Sequence, residues 1–178
     1  MNKVYYFLFL LITSTMMTSC FDDDSEDYEP WRLENEAYFT EVTDSLDANG
    51  VKYYNQLPNL SFPSFKVLYH RIKSGSEDAK TPFYTSTVAV KYKGWTIDGT
   101  VFDESNYSTF LVNGVIPGWT TTLQKMKVGD KWRVVIPWPL AYGSNGSTSI
   151  LPYSTLIFDI ELLSIPKWET GTNPSDSE

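Results

Sequence analysis

Histidine and cysteine, which often carry metal or nucleophilic chemistry, occur once each in this chain, as His70 and Cys20. A zinc site of the usual kind needs several such ligands, so the sequence argues against a metal centre. A Ser-His-Asp triad would have to use His70, which lies in a strand-like run where nothing suggests the required geometry. We therefore interpret His70 as a solvent-facing or hydrogen-bonded strand residue, and we do not expect hydrolytic chemistry.

The most distinctive candidate site is a Gly/Pro turn, GVIPGW at 114–119, which delivers Trp119 to the start of a short helix-like segment. Trp119, Leu123 and Met126 recur at i, i+4 and i+7, which predicts one apolar helix face. Strand-like runs lie on both sides of this segment, so the helix is expected to pack against a sheet. We look for function in the cleft between them.

The composition restricts the class of partner. The 178 residues carry a formal net charge of −8, and much of this charge lies in one acidic run near the N terminus. Nucleic acid binding requires a basic footprint, so nucleic acid is not an expected partner. Aromatic residues make up 16% of the chain, which is enough for a core and for an aromatic-lined pocket.

The first twenty residues have the pattern of a secretory signal. A positively charged start at 1–3 precedes an apolar run at 4–12 that is too short to span a bilayer comfortably. Residues 17–20, MTSC, resemble a bacterial lipobox, in which the chain is cleaved before the cysteine and the cysteine carries lipid. We predict a lipoprotein signal peptide at 1–19 and a lipid anchor on Cys20 that holds the protein to a membrane. An ordinary signal peptide with an incidental cysteine is the alternative.

Residues 20–29 form an acidic run that cannot bury itself and is predicted to be a solvated tether. Acidic residues directly after a lipid-bearing cysteine also resemble the export signal of lipoproteins sent to the outer face of the outer membrane in Gram-negative bacteria. The corresponding expectation is an outer membrane lipoprotein that faces the periplasm or the cell surface. A plain spacer between membrane and domain is an equally good interpretation.

Residues 30–63 are expected to form an N-terminal helical extension. A proline suits the first helical turn, and residues 30–42 carry a broad apolar face, followed by an Asn-Gly turn and an extended piece with two prolines. The extension would pack on or near the main domain, and a homodimer formed through it is the sharper alternative. At the other end of the chain, residues 167–178 are predicted to be a disordered tail.

Alternating apolar and polar residues predict several antiparallel strands between residues 64 and 166. In one of them Val88, Val90 and Tyr92 share a face, so Tyr92 is expected to point with the valines toward the core. The predicted strands and extended pieces span 65–72, 87–96, 100–103, 110–112, 131–136 and 155–165. Several antiparallel strands around one short helix define an α+β fold.

Six segments of this region stand out in order: VKYKGW (90–95), DGTVFD (98–103), VIPGW (115–119), MKVG (126–129), LAYG (140–143) and TLIFDIEL (155–162). Together they closely resemble the FKBP-type peptidyl-prolyl cis-trans isomerases, in the family's order and at compatible spacing. The resemblance implies an FKBP-like domain at 64–166, in which a twisted antiparallel β-sheet wraps around one short α-helix. It also implies rotamase activity on X-Pro bonds of proline-containing polypeptides outside the cytoplasm, without a metal or organic cofactor.

The resemblance also assigns roles to individual residues. Trp119 corresponds to the indole floor under the proline ring, Asp103 to the carboxylate near the twisting amide, and Tyr142 to the loop tyrosine whose hydroxyl reaches a substrate carbonyl. The implied catalytic set is completed by three aromatic walls, Tyr92, Phe102 and Phe158. The implied substrate-binding set comprises the rim, the apolar tip of the long loop and one nearby aromatic: Val115, Ile116, Ile150, Leu151 and Phe110.

Two departures from the family pattern bear on substrate preference. The connection from Asp103 to Val115 is short, and Ser108 stands about where small members of the family carry another pocket aromatic. Residues 147–149 of the long loop, STS, stand where those members often have a histidine followed by Pro-Gly. These changes leave open a second function, a non-catalytic chaperone or adaptor that binds proline-containing segments with the same pocket.

Overall fold

The computed structural model describes residues 27–167, which form two α-helices and six strands. In chain order the elements are α1 (Glu29–Asp44), β1 (Asn55–Pro58), β2 (Lys66–Lys73), β3 (Thr87–Thr96), β4 (Val101–Leu111), α2 (Pro117–Leu123), β5 (Lys131–Ile136) and β6 (Leu156–Lys167). All strand pairs are antiparallel, and the sheet order is β1-β2-β5-β6-β3-β4. The predicted α+β fold, with one short helix against an antiparallel sheet and a further N-terminal helix, is confirmed.

The main core lies between α2 and one face of the sheet. Trp119 and Leu123 of α2, together with Met126 just beyond it, pack against alternate strand residues such as Val88 and Val90. The predicted periodicity is therefore confirmed, although the helix itself ends at Leu123. Burial of apolar side chains at alternate strand positions is what fixes the register of such a sheet.

The opposite face of the sheet carries a smaller apolar cluster that α1 covers. Leu68, Val135 and Ile157 lie side by side in register on β2, β5 and β6, and all three are buried. Tyr38 and Phe39 of α1 pack against them. The predicted N-terminal helix thus forms, and its apolar face lies on the sheet of its own chain.

α2 begins at the predicted Gly/Pro turn. Two residues of this turn explain its position, a proline at the first helical position and a glycine in close contact with β5. Pro117 occupies the first turn, where its missing N–H leaves no helical bond unmade. Gly118 lies so close to Ile136 that a Cβ at this position would overlap the isoleucine side chain. α2 therefore packs closely against β5, and Trp119 lies in the first turn of the helix.

Two predictions of extended structure need correction. The pieces expected at 100–103 and 110–112 belong to one continuous strand, β4, and the residues between them are largely exposed on this edge strand, so no alternation marks them. The extended connection expected around residue 58 contains β1, which pairs with β2 at the other edge of the sheet. Pro58 ends this strand, in keeping with the restriction of proline to sheet edges and strand ends.

Several predicted segments lie outside the described residues. These are the signal peptide at 1–19, Cys20, the acidic tether up to residue 26 and the C-terminal tail from residue 168. Glu29, placed in the tether by sequence, begins α1, and Lys167, placed in the tail, ends β6. Within 27–167, no helix combines the length and apolar character that a membrane crossing requires.

Candidate active site

A cavity of about 310 Å³ lies between α2, strands β3, β4 and β6, and the loop that follows β5. Its lining is mostly aromatic and aliphatic, with one carboxylate: Tyr92, Phe102, Asp103, Phe110, Gly114, Val115, Ile116, Trp119, Tyr142 and Phe158. Nine of the eleven residues that the sequence singled out are therefore brought together here. Their individual roles stay a prediction.

Trp119 is the central side chain of the cavity. Three other rings meet it edge to face, with centroid distances of 5.2 Å to Tyr92, 5.6 Å to Phe110 and 5.3 Å to Phe158. The indole is only 4% exposed, and its N–H has no hydrogen-bond partner within residues 27–167. Ring packing, which favours such T-shaped contacts, is thus what holds Trp119 in place.

A second aromatic pair forms a wall beside Trp119, and Gly94 makes room for it. The rings of Phe102 and Phe158 meet edge to face at 5.4 Å. A Cβ on Gly94 would come within 2.6 Å of the Phe158 ring and 2.7 Å of the Phe102 ring. The sequence analysis does not predict Gly94 as a site residue, although a glycine inside a strand signals close approach by a neighbouring group.

Tyr92 and Asp103 supply the strongest polar contact of the cavity. The Tyr92 hydroxyl donates to Asp103 Oδ2 at 2.6 Å. Burial, together with the hydrogen bond to Asp103 and the charge of that carboxylate, raises the pKa of Tyr92 to about 12. Burial also raises the pKa of Tyr142, with a smaller contribution from the Asp103 charge. Both tyrosines are therefore neutral at physiological pH, next to the carboxylate.

The mouth of the cavity is formed by the 114–116 turn and by Tyr142. Tyr142 is 42% exposed, and its hydroxyl has no protein hydrogen-bond partner among the described residues. The Ile116 N–H likewise donates to no acceptor in the described part of the chain. Two hydrogen-bond donors thus stand unused at an otherwise apolar entrance.

Phe110 supplies an aromatic ring to the cavity near Ser108. Its ring meets Tyr92 at 5.9 Å as well as Trp119, and it lines the cavity. The Ser108 hydroxyl instead donates to Ser105 Oγ at 2.9 Å. Phe110, two positions after Ser108 on β4, therefore completes the aromatic lining on this side of the cavity.

Two predicted substrate-binding residues do not line the cavity. Ile150 is only 4% exposed and belongs to the main core, while Leu151 is 50% exposed outside the lining. The loop between β5 and β6 folds Ile150 inward, with a bridge to Ser147. Gly114, which does line the cavity, was noted as part of the Gly/Pro turn but not as a site residue.

His70 lies away from the cavity, on β2. Its Nδ1 is 3.1 Å from the Tyr53 carbonyl oxygen, and its ring stacks on the Tyr53 ring at 4.1 Å. The interpretation of His70 as a hydrogen-bonded strand residue is confirmed. Within residues 27–167, no three His, Cys, Asp or Glu side chains are grouped so that they could hold a metal ion.

The lining carries few polar side chains. Among its ten residues these are Asp103, the hydroxyls of Tyr92 and Tyr142, and the Trp119 indole N–H. What they provide is an apolar space, one carboxylate and a few hydrogen-bond donors. Ligand sites of this make-up are mostly apolar and use a few polar groups to fix the orientation of the ligand.

Comparison with known proteins points to one family. The family model of FKBP-type peptidyl-prolyl cis-trans isomerases matches residues 79–163. In structure, the chain is similar to a crystal structure of a peptidyl-prolyl cis-trans isomerase from Pseudomonas syringae pv. tomato, with a TM-score of 0.64 and 31% identity. That match covers 76% of this chain and 94% of the crystallised one.

Two curated relatives are similar over a shorter part of their length. The chain is 42% identical over 129 residues to the FKBP-type 22 kDa peptidyl-prolyl cis-trans isomerase of Escherichia coli (strain K12), covering 68% of this chain and 62% of the relative. It is 44% identical over 117 residues to the outer membrane protein MIP of Legionella longbeachae, covering 61% of this chain and 50% of the relative. The chain therefore spans between half and two thirds of these relatives.

Proposed function

This chain belongs to the FKBP-type peptidyl-prolyl cis-trans isomerases, and we propose that it accelerates rotation about X-Pro peptide bonds of proline-containing polypeptides in the cavity around Trp119. The observation that carries the proposal is the apolar cavity itself. Six aromatic side chains, a carboxylate and two unused donors, one of them a hydroxyl of these aromatics, converge on a space of about 310 Å³. A proline ring is a compact apolar group of suitable shape for such a space.

The reaction needs no covalent intermediate. Amide resonance sets a rotational barrier of about 18–20 kcal/mol, because twisting the bond breaks conjugation. The twisted amide is less polar than the planar one, so an apolar cavity that excludes water favours the transition state over the ground state. The Phe102, Phe158 and Trp119 rings provide that environment.

The polar groups of the cavity would orient the substrate. The Ile116 N–H and the Tyr142 hydroxyl are free to donate to the carbonyl groups that flank the proline. Asp103, held by Tyr92, would lie near the twisting amide. Positioning of this kind costs the enzyme no reorganisation during the reaction, and it supports the six catalytic assignments, Tyr92, Phe102, Asp103, Trp119, Tyr142 and Phe158.

The non-catalytic alternative rested on a missing pocket aromatic and an altered loop. Phe110 fills the aromatic position, and the carboxylate with its tyrosine partner is in place. The isomerase is therefore the function that the site supports best.

The test is the isomerisation rate of a set of short X-Pro peptides with the full chain in detergent. Asp103→Ala and Trp119→Leu should each lower kcat/KM by roughly tenfold or more. Glu104→Ala is the matched control, because this neighbouring carboxylate is exposed and, among residues 27–167, forms its ion pair with Lys93 at 3.3 Å. If wild-type protein accelerates none of the peptides, the isomerase proposal fails for such substrates.

We also propose that the protein is an outer membrane lipoprotein anchored through Cys20. The signal-like residues 1–19, the lipobox-like MTSC and the acidic run at 20–29 support this location, and a relative carries the name outer membrane protein MIP. Cys20→Ala should abolish incorporation of labelled palmitate and release the protein from the membrane fraction. Protease treatment of intact cells separates a surface from a periplasmic orientation. Membrane retention of unlabelled Cys20→Ala protein would contradict the anchor.

A homodimer through residues 30–63 stays a prediction with a narrow basis. The apolar face of α1 already packs on its own sheet, and Leu33 is the large apolar residue of α1 that stays exposed, at 52%. Beyond the helix, Val51 and Leu60 of the same extension are 60% and 93% exposed. If a dimer forms through these residues, the combined change Leu33→Asp and Leu60→Asp should halve the mass measured by light scattering. A wild-type monomer at high concentration would rule the dimer out.

A further inference from the structure

We propose that α1 is a positioning element of the active site: it holds both arms of the β5–β6 loop (residues 137–155) and thereby fixes Tyr142 at the mouth of the cavity. The inference rests on the proposed function only for the catalytic consequence, and the physical link between α1 and the loop stands on contacts alone. It gives the N-terminal helix a role that neither the sequence nor the family membership assigned.

The end of the loop is tied to a fully buried asparagine of α1. Asn35 has no exposed surface, and its Oδ1 accepts a 2.7 Å hydrogen bond from the Thr155 N–H. The Asn35 amide donates in turn to the Trp31 carbonyl at 2.8 Å, and the Thr155 hydroxyl donates to the Asn35 carbonyl at 3.3 Å. A buried amide with its partners satisfied fixes the geometry strongly, because losing any one of them leaves a buried polar group unpaired.

A second contact joins α1 to the same arm one residue earlier. The Trp31 indole N–H donates to Ser154 Oγ at 3.0 Å, and the Ser154 hydroxyl donates to the Leu151 carbonyl at 2.7 Å. Ser154 is 3% exposed. The Trp31 indole therefore fixes the orientation of the Ser154 hydroxyl. That hydroxyl in turn fixes the position of the Leu151 carbonyl, where the chain leaves the tip of the loop.

The start of the loop is held by α1 through Trp138. The Trp138 indole N–H donates to Glu36 Oε1 at 3.3 Å, and Arg32 holds the same oxygen at 2.7 Å. The Trp138 carbonyl accepts from the N–H groups of both neighbours of Tyr142, Ala141 at 3.1 Å and Gly143 at 3.0 Å. Trp138, which α1 contacts on this arm, is thus the residue that accepts hydrogen bonds from both neighbours of Tyr142.

The two arms are joined to each other next to Tyr142. The Tyr153 N–H donates to the Gly143 carbonyl at 2.9 Å, and the Tyr153 ring meets the Trp138 ring edge to face at 5.1 Å. Tyr153 has φ of 61°, the one positive value at a non-glycine residue between 27 and 167. Such a conformation persists only where the surroundings over-determine it, and the next two residues are those that α1 holds.

The experiment compares Trp31→Phe with Trp95→Phe in the full chain. Trp31→Phe keeps a ring but removes the donor to Ser154, while Trp95 packs in the cluster under α1 and its ring lies 5.2 Å from the Arg133 guanidinium. Trp31→Phe should lower kcat/KM about fivefold, because displacement of a positioned group is costly, and Trp95→Phe should change it less than twofold. In a Tyr142→Phe background, Trp31→Phe should cause no further loss, since α1 acts through the Tyr142 hydroxyl.

A measurement that does not depend on activity separates this inference from the proposed function. Amide hydrogen exchange at Gly143 and Tyr153 should be roughly tenfold faster in Trp31→Phe than in wild type or Trp95→Phe. Unchanged exchange at both amides overturns the inference whether or not peptides are isomerised. Suppose that exchange is faster, but Trp31→Phe lowers kcat/KM by the same factor in the Tyr142→Phe background as in wild type. This outcome overturns the catalytic role of the contact between α1 and the loop. An inactive wild type refutes the proposed function, and the exchange data then decide the physical link by themselves.

Discussion

The Tyr92 hydroxyl reaches Asp103 Oδ2 at 2.6 Å across the β3–β4 pair, although in register Asp103 lies opposite Gly94 and Tyr92 lies opposite Ser105. The contact is therefore diagonal, and a register shift between Val90 and Tyr92 accompanies it. It uses one carboxylate oxygen and leaves Oδ1 without a protein donor among residues 27–167. A wall aromatic thus also orients the single carboxylate of the cavity.

Tyr92→Phe should lower kcat/KM for X-Pro peptides by about tenfold, which corresponds to roughly 1.4 kcal/mol of transition-state stabilisation. The ring contacts with Trp119 and Phe110 remain, so the loss reports on the freed carboxylate and not on the wall. Tyr107→Phe is the matched control, because this tyrosine of β4 is 63% exposed. Equal rates for wild type and Tyr92→Phe would show that the hydrogen bond has no part in catalysis.

The surroundings of Tyr92 predict a loss of stability at high pH, because burial and then the hydrogen bond to Asp103 raise the pKa of this tyrosine. The pKa of Tyr92 is about 12 in the folded protein against an ordinary value of 10.0. Between pH 10 and 12 the unfolded chain therefore binds fewer protons than the folded one, so the free energy of unfolding falls as pH rises. The full effect is at most about 3 kcal/mol.

Urea unfolding at pH 8, 10, 11 and 12 checks this prediction. Tyr54, whose pKa is also raised to about 12 by burial, contributes to the decline in wild type and variant alike. Tyr92→Phe should therefore show a shallower decline above pH 10, and Tyr107→Phe should follow wild type. Parallel curves for wild type and Tyr92→Phe would mean that Tyr92 ionises as easily in the folded protein as in the unfolded one.

Sequence reasoning located the central strands and α2 because burial on alternate positions leaves a direct trace. Val88 and Val90 on β3, and Leu156 and Ile160 on β6, are all buried, as their alternation predicts. β4 was missed as one strand because it is an edge with little burial between its ends. Its continuity depends on pairing with β3, which a local pattern does not encode.

Contacts between residues that are far apart in the sequence could not be predicted from it either. Asn35 and Thr155 are 120 positions apart, and nothing local to either residue signals the bond between them. Ile150 was placed at the loop tip by family resemblance, yet this loop turns it into the core. The ordered motifs contain eight of the nine candidate residues that line the cavity, and Phe110 is the one outside them. Five of the eight lie on strands or on α2, and Val115, Ile116 and Tyr142 lie in the turn and the loop beside them.

Leu68→Ala should lower the free energy of unfolding by roughly 2–5 kcal/mol, as expected for a fully buried leucine that leaves a cavity. Leu68 is 0% exposed at the centre of the cluster that α1 covers. Leu60→Ala offers the matched control, since Leu60 is 93% exposed and its loss should change stability by less than about 0.5 kcal/mol. Urea unfolding at neutral pH measures both. Similar values for the two variants would mean that this cluster does not contribute to the cooperative core.

Gly94→Ala should damage the active site without removing any group that touches substrate. The new Cβ would lie 2.6 Å from Phe158 and 2.7 Å from Phe102, so both rings must move, and the open side toward which they can shift is the cavity. Overpacking of this kind costs about 1–3 kcal/mol of stability, and the narrowed cavity should lower kcat/KM about tenfold.

Peptide isomerisation and urea unfolding, run on the same preparations, separate the two effects of Gly94→Ala. Lys93→Ala is the control, because the neighbouring lysine side chain is exposed and its one ion pair in the described part of the chain is long, at 3.3 Å with Glu104. A Gly94→Ala variant with wild-type stability and wild-type kcat/KM would show that the Phe102 and Phe158 rings shift without cost. The exact position of these rings would then not matter for catalysis.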